Sequence, residues 1–464
     1  MNSRHRRRGH IGTGSLTLTT LLALWGLPGV SIPPGVAAQE KGEVTFTRDI
    51  APILQQNCQV CHQPNSIAPM SLLTYQDALI FSQRIKERTS KREMPPWHID
   101  RTVGIQHFKN SRRLSDEDIE TIAAWVDAGA PEGDPADMPP PIEWPDWNKW
   151  QFADRFGEPN LVIESKPYTL AAHTQDKWFR PRVPTGITEP RWVKAIEIKP
   201  SFPDGRRIVH HVLTYLIQDE GDGIVGLAST AADATCSPGL FMEWAVGKRG
   251  EIYHKDAGKL MLPGSEIGWE IHMHAVGEEI VDNVVQLGVW LYPKDYVPDH
   301  RTILTMFDAR GATDIDIPPG EIAVTQDFHV LPAPARLENF QPHMHMRGKA
   351  MQLEAIYPDG HKEVISRVSN FQWNWHINYI YDDDYAPLLP KGTTLVITAW
   401  HDNTKENPTN PDYRQWVGWG DRTVDEMAHL WVDVTYLEQD EFDRLVAERK
   451  ARKVAAAEDS GSER

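Results

Sequence analysis

The pentapeptide Cys58-Gln59-Val60-Cys61-His62 sets the tightest limit on how this chain folds. Two thiols three residues apart, followed at once by an imidazole, form the pattern of c-type haem attachment. The thiols bond the haem vinyl groups and the histidine becomes the proximal iron ligand. A thioredoxin-like redox pair is the competing reading, but no βαβ pattern surrounds the motif. The neighbourhood reads as helical instead. Ile50, Ile53 and Leu54 recur at helical spacing over Asp49 to Asn57, which delivers the motif at its end. Downstream, Ser115 caps a helix with Ile119, Ile122, Ala123 and Val126 on one face, stopped by Gly129 and Pro131.

These two segments resemble the first and last helices of a cytochrome c, and residues 43–135 are expected to form a small all-α domain holding one covalent haem c. Met94, in Arg92-Glu93-Met94-Pro95-Pro96-Trp97, is the expected sixth iron ligand, because a methionine on a Pro-rich loop presents its thioether to iron. Met70 and His98 are the alternatives, and the apolar context of Met70 favours packing for it.

Haem is attached to such motifs outside the cytoplasm, and residues 1–38 read as a secretory signal peptide. Arg4, Arg6, Arg7 and Arg8 precede an apolar run from Leu16 to Val30, and Val36-Ala37-Ala38 closes the segment before Gln39. A retained anchor is the alternative, against which the run is short and broken by Gly26 and Pro28, with Pro33 and Pro34 close behind. No later apolar run is long enough to cross a bilayer, so a periplasmic or secreted protein without a transmembrane segment is expected. The net charge of −17 makes nucleic acid an unsuitable partner. Cys58, Cys61 and Cys236 are too few for a disulfide framework in 464 residues, and Cys236, standing alone, reads as a small buried residue.

A chain of this length suggests about three domains. Pro131 to Pro145 is rich in Pro, Asp and Glu with little apolar periodicity, and residues 136–159 read as a stiff linker that Trp144, Trp147 and Trp150 dock onto a neighbour. From about residue 160 the pattern becomes all-β. Gln286 to Tyr292, Met351 to Tyr357, Leu395 to Trp400 and Leu430 to Tyr436 have strand length and pattern, and Pro358-Asp359-Gly360 is a turn. Two all-β, jelly-roll-like sandwich domains are expected, 160–325 and 326–437, followed by a charged tail over 438–464 with one short helical stretch.

The β part carries histidines in clusters. In Gln341-Pro342-His343-Met344-His345 a strand would project His343 and His345 from one face, a metal-site geometry; two unrelated polar histidines are the equal alternative. His210 and His211 are adjacent and on a regular strand would point oppositely, so both reach one ion only across a twist or bulge. His272 lies in Trp269-Glu270-Ile271-His272-Met273-His274, and Met427 in Asp425-Glu426-Met427 just before a strand.

With these motifs in order, residues 160–437 resemble the copper type II, ascorbate-dependent monooxygenases, the family of peptidylglycine α-hydroxylating and dopamine β-hydroxylating enzymes. The resemblance implies two copper ions. His210, His211 and His272 match the ligands of the family's electron-transfer copper; His343, His345 and Met427 match those of its oxygen-binding copper. A soft thioether beside imidazoles suits Cu(I), whereas zinc has little use for Met427. Amidating members place an arginine two residues before the His-x-His, and an Asn and a Tyr after the methionine, to hold a peptide carboxylate. Gln341, His429 and Trp431 stand there, so peptide amidation is not expected. His274, His376, His401 and His429 read as hydrogen-bonding or packing neighbours of these motifs rather than ligands.

The resemblance therefore implies an exported monooxygenase that hydroxylates a C–H bond of a small-molecule substrate with O2. Electrons would come from a periplasmic redox donor, ascorbate or a reduced cytochrome, and be relayed by the haem. Trp373, Trp375 and Trp431 are candidates for an apolar substrate cleft, or for ordinary core packing. A non-catalytic periplasmic electron-transfer or copper-handling protein is the alternative function.

Overall fold

The structure, a computed structural model, describes residues 43–64, 68, 70–109, 111–142, 146, 148–219, 239–245, 248, 250–309 and 314–462. The expected signal peptide, Cys236, Trp144 and Trp147 lie outside the described residues.

Three helices lead the described chain: Ala51–Asn57, Tyr75–Ser90 and Asp116–Asp127. Thr74 and Ser115 each accept a hydrogen bond from the backbone N–H three residues on, while Asp77 and Asp118 return the bond, so both longer helices start on a capping box. Gly129, at φ +87°, ends the last one. Phe46, Ile50, Leu54, Ile122, Trp125 and Val126 form their common core. The middle helix left little trace in the sequence because its buried face is Ala78, Ser82, Ile85 and Thr89, half of it polar.

These helices do not stand apart from the sheets; residues 43–464 make one compact unit. The segment after Met94 is strapped along the second β half. Ile99 and Phe108 bridge to Val368 and Tyr381, Trp97 meets the Tyr379 ring edge-on at 4.8 Å, and Trp97, Ile99 and Phe108 are buried in that half's core. The expected linker is likewise docked. Trp150 packs against Trp290 at 6.0 Å, and the Glu197 carboxylate accepts the backbone N–H groups of Gln151 and Phe152.

The rest is mainly β-sheet, in several sheets. The first half packs strands Arg191–Pro200 and Val285–Leu291 through one apolar core against a smaller sheet containing Val209–Ile217 and Glu266–Met273. The second half packs the four-stranded sheet containing Gly348–Ile356 and Thr394–Asp402 against His429–Tyr436 and its neighbours. Both arrangements are compatible with sandwiches. The halves share an 11-stranded sheet: His300–Asp308 runs parallel to Ala257–Met261 on one side and antiparallel to His429–Tyr436 on the other. By pairing, residues 300–308 thus belong mainly to the second half, and the boundary expected at 325/326 falls inside the strand Ile322–Val330. A sheet bonded across both halves fixes their relative position, and with it the spacing of side chains carried by either half.

The chain's end corrects another expectation. Gln439–Ser462 is a 24-residue helix rather than one short stretch, seated by buried Phe442 and by Arg449 donating to the Ala386 carbonyl at 2.7 Å. Among the described residues no helix is long and apolar enough to cross a membrane.

Candidate metal centre

His211 and His272 are directly opposed in the pairing of Val209–Ile217 with Glu266–Met273, and the register slips immediately after, so that Met273 faces Val209 and His210 is the extra residue. That bulge turns the His210 ring to the side of its neighbour. The three Nδ1 atoms converge: His210 to His211 is 3.3 Å and His272 to His211 is 3.2 Å. Facing nitrogens at this spacing suit one ion bonded to all three at about 2 Å. The His272 ring is held from behind by Asp176, whose Oδ2 lies 3.3 Å from Nε2, and by Trp178, its cross-strand partner, stacked at 4.3 Å. A carboxylate at this distance favours the proton on the facing Nε2, which leaves Nδ1 free. Burial lowers the His210 pKa to about 4 and holds that of His211 well below the ordinary imidazole value, so these groups are neutral near pH 7.

The second set differs from the sequence expectation in one respect. The strand Asn339–His343 ends at His343, and His345 lies in the turn beyond, so strand alternation does not bring the two rings together. A buried carboxylate does so instead. Glu426 accepts the backbone N–H of His345 at 3.0 Å and of Arg347 at 2.6 Å, folding the turn back. Arg347, buried in the same turn, donates to Asn403 Oδ1 and the Val424 carbonyl. The His343 and His345 rings then stand 5.4 Å apart. His345 Nδ1 donates to the Asp425 carbonyl at 3.1 Å, leaving Nε2 as its available ligand atom. His343 stacks on Trp431 at 5.1 Å, and its buried Nδ1 has no hydrogen-bond partner among the described residues. Met427 follows Glu426 directly and is half-buried; the His401 ring donates to its carbonyl at 3.1 Å. His429 is the cross-strand partner of His343.

Burial pushes the Glu426 carboxyl up to about 8, against the three backbone N–H groups that favour its anion. Glu426→Gln puts an amide NH2 against one of those donors. Stability is expected to fall by about 1–3 kcal/mol in denaturant unfolding.

Other expected neighbours fall variously. His274 is exposed, with its ring 6.3 Å from His210, and His429 Nε2 lies 3.4 Å from Asp308 Oδ1. Gln341 hydrogen-bonds buried Glu243 and accepts from Lys248 Nζ at 3.4 Å, while Lys248 also pairs with Glu251 at 2.7 Å. Burial raises Glu243 to about 7. Its folded form therefore keeps a proton that the unfolded chain releases above about 4.5, so the stability it contributes is lost as pH rises from about 4.5 to 7. Glu243→Gln is expected to flatten that decline and gain on the order of 2 kcal/mol at pH 8 relative to pH 5, read from unfolding midpoints.

The segment Cys58-Gln59-Val60-Cys61-His62 follows the first helix directly. Helix Ala51–Asn57 ends in a turn where Cys61 and His62 donate to the Cys58 carbonyl. His62 Nδ1 donates to the Met70 carbonyl at 3.3 Å, leaving Nε2 as its available ligand atom. Met70 thus meets His62 through its backbone. Met94 is half-buried on the loop that continues into Trp97; on the same loop His98 has a buried Nε2 with no hydrogen-bond partner among the described residues.

One other group of convergent ligand types occurs among the described residues: Asp256, His300 and Glu441. There the Asp256 carboxylate is already engaged by His254 at 2.6 Å and Arg336 at 3.0 Å, an ionic tie between the sheets and the C-terminal helix.

Asp176, Trp178 and Glu426 were not singled out from sequence. Glu426 had one signal, its place beside Met427; Asp176 and Trp178 lie about 95 residues from the histidine they support and had none.

No family model matches this chain, and no curated protein matches it. Among solved structures, the VP2 subviral particle of infectious bursal disease virus is similar at 9% identity over 60% of this chain and 72% of that chain, with a TM-score of 0.17. A two-domain protein of unknown function from Bacteroides fragilis shows 10% identity over 64% of this chain and 100% of its own, with a TM-score of 0.11. Likenesses this slight carry no argument about fold or function.

Proposed function

We propose that this protein is an exported haem- and copper-dependent monooxygenase of the copper type II class, its helical segment a cytochrome c-like unit and its β halves jelly-roll-like sandwiches. The convergence of three Nδ1 atoms at 3.2–3.3 Å, next to a second histidine pair, carries this reading. The net reaction is R–H + O2 + 2e− + 2H+ → R–OH + H2O. Copper would supply dioxygen reduction, and a haem on Cys58 and Cys61 would supply one-electron carriage.

The chain's own residues set the conditions for this chemistry. His210, His211 and His272 would hold one ion, with Asp176 and Trp178 fixing the His272 ring. His343, His345 and Met427 would hold the other; Glu426 sets the turn and Trp431 walls the His343 ring. His62, whose Nδ1 donates to the Met70 carbonyl, and Met94 would hold the haem iron. Gln341, fixed by Glu243, supplies an amide where a carboxylate-holding arginine would stand, so a small substrate without that anchor fits this site better than a peptide terminus.

Haem and metal analysis of the exported protein, then oxygen uptake over a substrate panel with a reduced cytochrome as donor, tests the proposal. Met427→Leu should lower product formation on the order of 100-fold or more, with the haem spectrum and first copper retained. Unaltered product formation in that variant would remove the oxygenase reading and leave a copper-handling or electron-transfer protein.

A further inference from the structure

Asp256, His300 and Glu441 come from three separate elements. Asp256 lies in the turn before the strand Ala257–Met261, His300 opens the strand His300–Asp308, and Glu441 sits in the first turn of the last helix, Gln439–Ser462. The backbone sets the first two side by side, since His300 donates its N–H to the Asp256 carbonyl at 2.9 Å where the two strands begin to run parallel. The three side chains then converge. His300 Nε2 is 3.0 Å from Glu441 Oε1 and 3.8 Å from Asp256 Oδ2, and all three atoms lie within 4.8 Å of one another.

A simple ion pair does not account for this arrangement. The His300 side chain is only 5% exposed, yet its Nε2 has no hydrogen-bond partner among the described residues: Glu441 Oε1 is near but lies off the direction in which the ring would donate. A buried nitrogen left in that condition costs about 1–3 kcal/mol. The Asp256 carboxylate divides its contacts. Oδ1 accepts from His254 at 2.6 Å and from Arg336 at 3.0 Å, while Oδ2, the atom facing His300, meets Arg336 at 3.4 Å. Glu441 Oε1 accepts from Arg444 at 3.1 Å, but Arg444 is half exposed and already holds Glu448 at 2.8 Å with its other terminal nitrogen, so it is free to swing aside.

A cation would take up the orphaned lone pair. Ligand atoms about 2 Å from a tetrahedral ion stand about 3.4 Å apart, and the separations of 3.0 and 3.8 Å lie on either side of that value. One imidazole with two carboxylates suits zinc, whereas calcium and magnesium favour oxygen ligands and copper(I) favours sulfur. We infer that Asp256 Oδ2, His300 Nε2 and Glu441 Oε1 form a zinc site that pins the start of the C-terminal helix to the sheet shared by the two halves. Its ligands are none of those proposed for copper, and the inference does not rest on the monooxygenase reading.

The experiment uses the purified full-length protein, stripped with a chelator and then titrated with zinc alone. Because the helix can leave the sheet only when the ion lets go, zinc at about ten times its Kd should slow amide exchange over residues 443–448 about 10-fold. Glu441→Gln keeps the shape and the polar character of a partly exposed side chain while removing a ligand charge. It should bind one zinc fewer per chain than wild type, and zinc should no longer slow exchange in that segment. Exchange over residues 443–448 that is the same with and without zinc in wild type overturns the inference without reference to any variant. Equal zinc content and equal slowing in wild type and Glu441→Gln overturn the assignment of the ligands. Neither outcome depends on whether the histidine sets bind copper.

Discussion

On the proposed two-copper reading, His211→Ala is expected to remove one of the two ions. His211 is the middle of the first set, since its Nδ1 is the atom that both His210 and His272 approach, at 3.3 and 3.2 Å. Without it the other two nitrogens have no common neighbour, and the His272 ring, though still held by Asp176 and Trp178, offers a single donor. Affinity at this position should fall on the order of 100-fold or more, so that dialysis against a chelator reduces two coppers per chain to one. Metal analysis and the copper resonance spectrum read the result directly. Because the cluster sits on strands whose apolar neighbours Val212, Ile271 and Met273 remain buried, the haem spectrum should not change. A variant that keeps both coppers would show that the convergence of the three imidazoles is packing and not coordination.

The second large effect concerns the proposed haem. The double substitution Cys58→Ser with Cys61→Ser should abolish covalent haem, seen as loss of haem staining after denaturing electrophoresis. On the same proposed reading copper content should be unaffected, because the histidine sets are carried by the two β halves and not by the helices. Reduction of copper by a reduced donor protein should stop, which distinguishes a relaying haem from an incidental one. The loss should also loosen the helices, whose own core of Phe46, Ile50, Leu54, Ile122, Trp125 and Val126 is small. The strap from Trp97 to Phe108 should hold its place, since it is buried against Tyr379 and Tyr381 of the second half. A wild-type protein without covalent haem would end the electron-relay part of the proposal, whatever the copper analysis gives.

What could be read from sequence depended on how local each signal was. The capped helix after Ser115 was legible because cap, apolar stripe and stop all lie within about 17 residues. The helix Tyr75–Ser90 was not, because Ser82 and Thr89 occupy its buried face and erase the stripe. Strands such as Val285–Leu291 and His429–Tyr436 showed through their apolar runs. The length of the final helix did not, since its face reads as charge and its anchors, Ala386 and Asp384, lie far back in the chain.

The sequence by itself determined the residue types: two thiols and an imidazole at haem-attachment spacing, a His-His pair that could share an ion only across a bulge, a His-x-His, and a methionine beside an acid. These are short-range facts, fixed by spacing along the chain. Only the tertiary structure decided how they meet. The register slip at His272 supplies the bulge, and Glu426 rather than strand alternation brings His345 round to His343. The shared sheet brings the two halves together, and the ring of His376, which the sequence marked as no more than a neighbour, comes to 4.4 Å from that of His343. Each of these depends on contacts between residues tens to hundreds of positions apart, where no local periodicity records which side chain will face which.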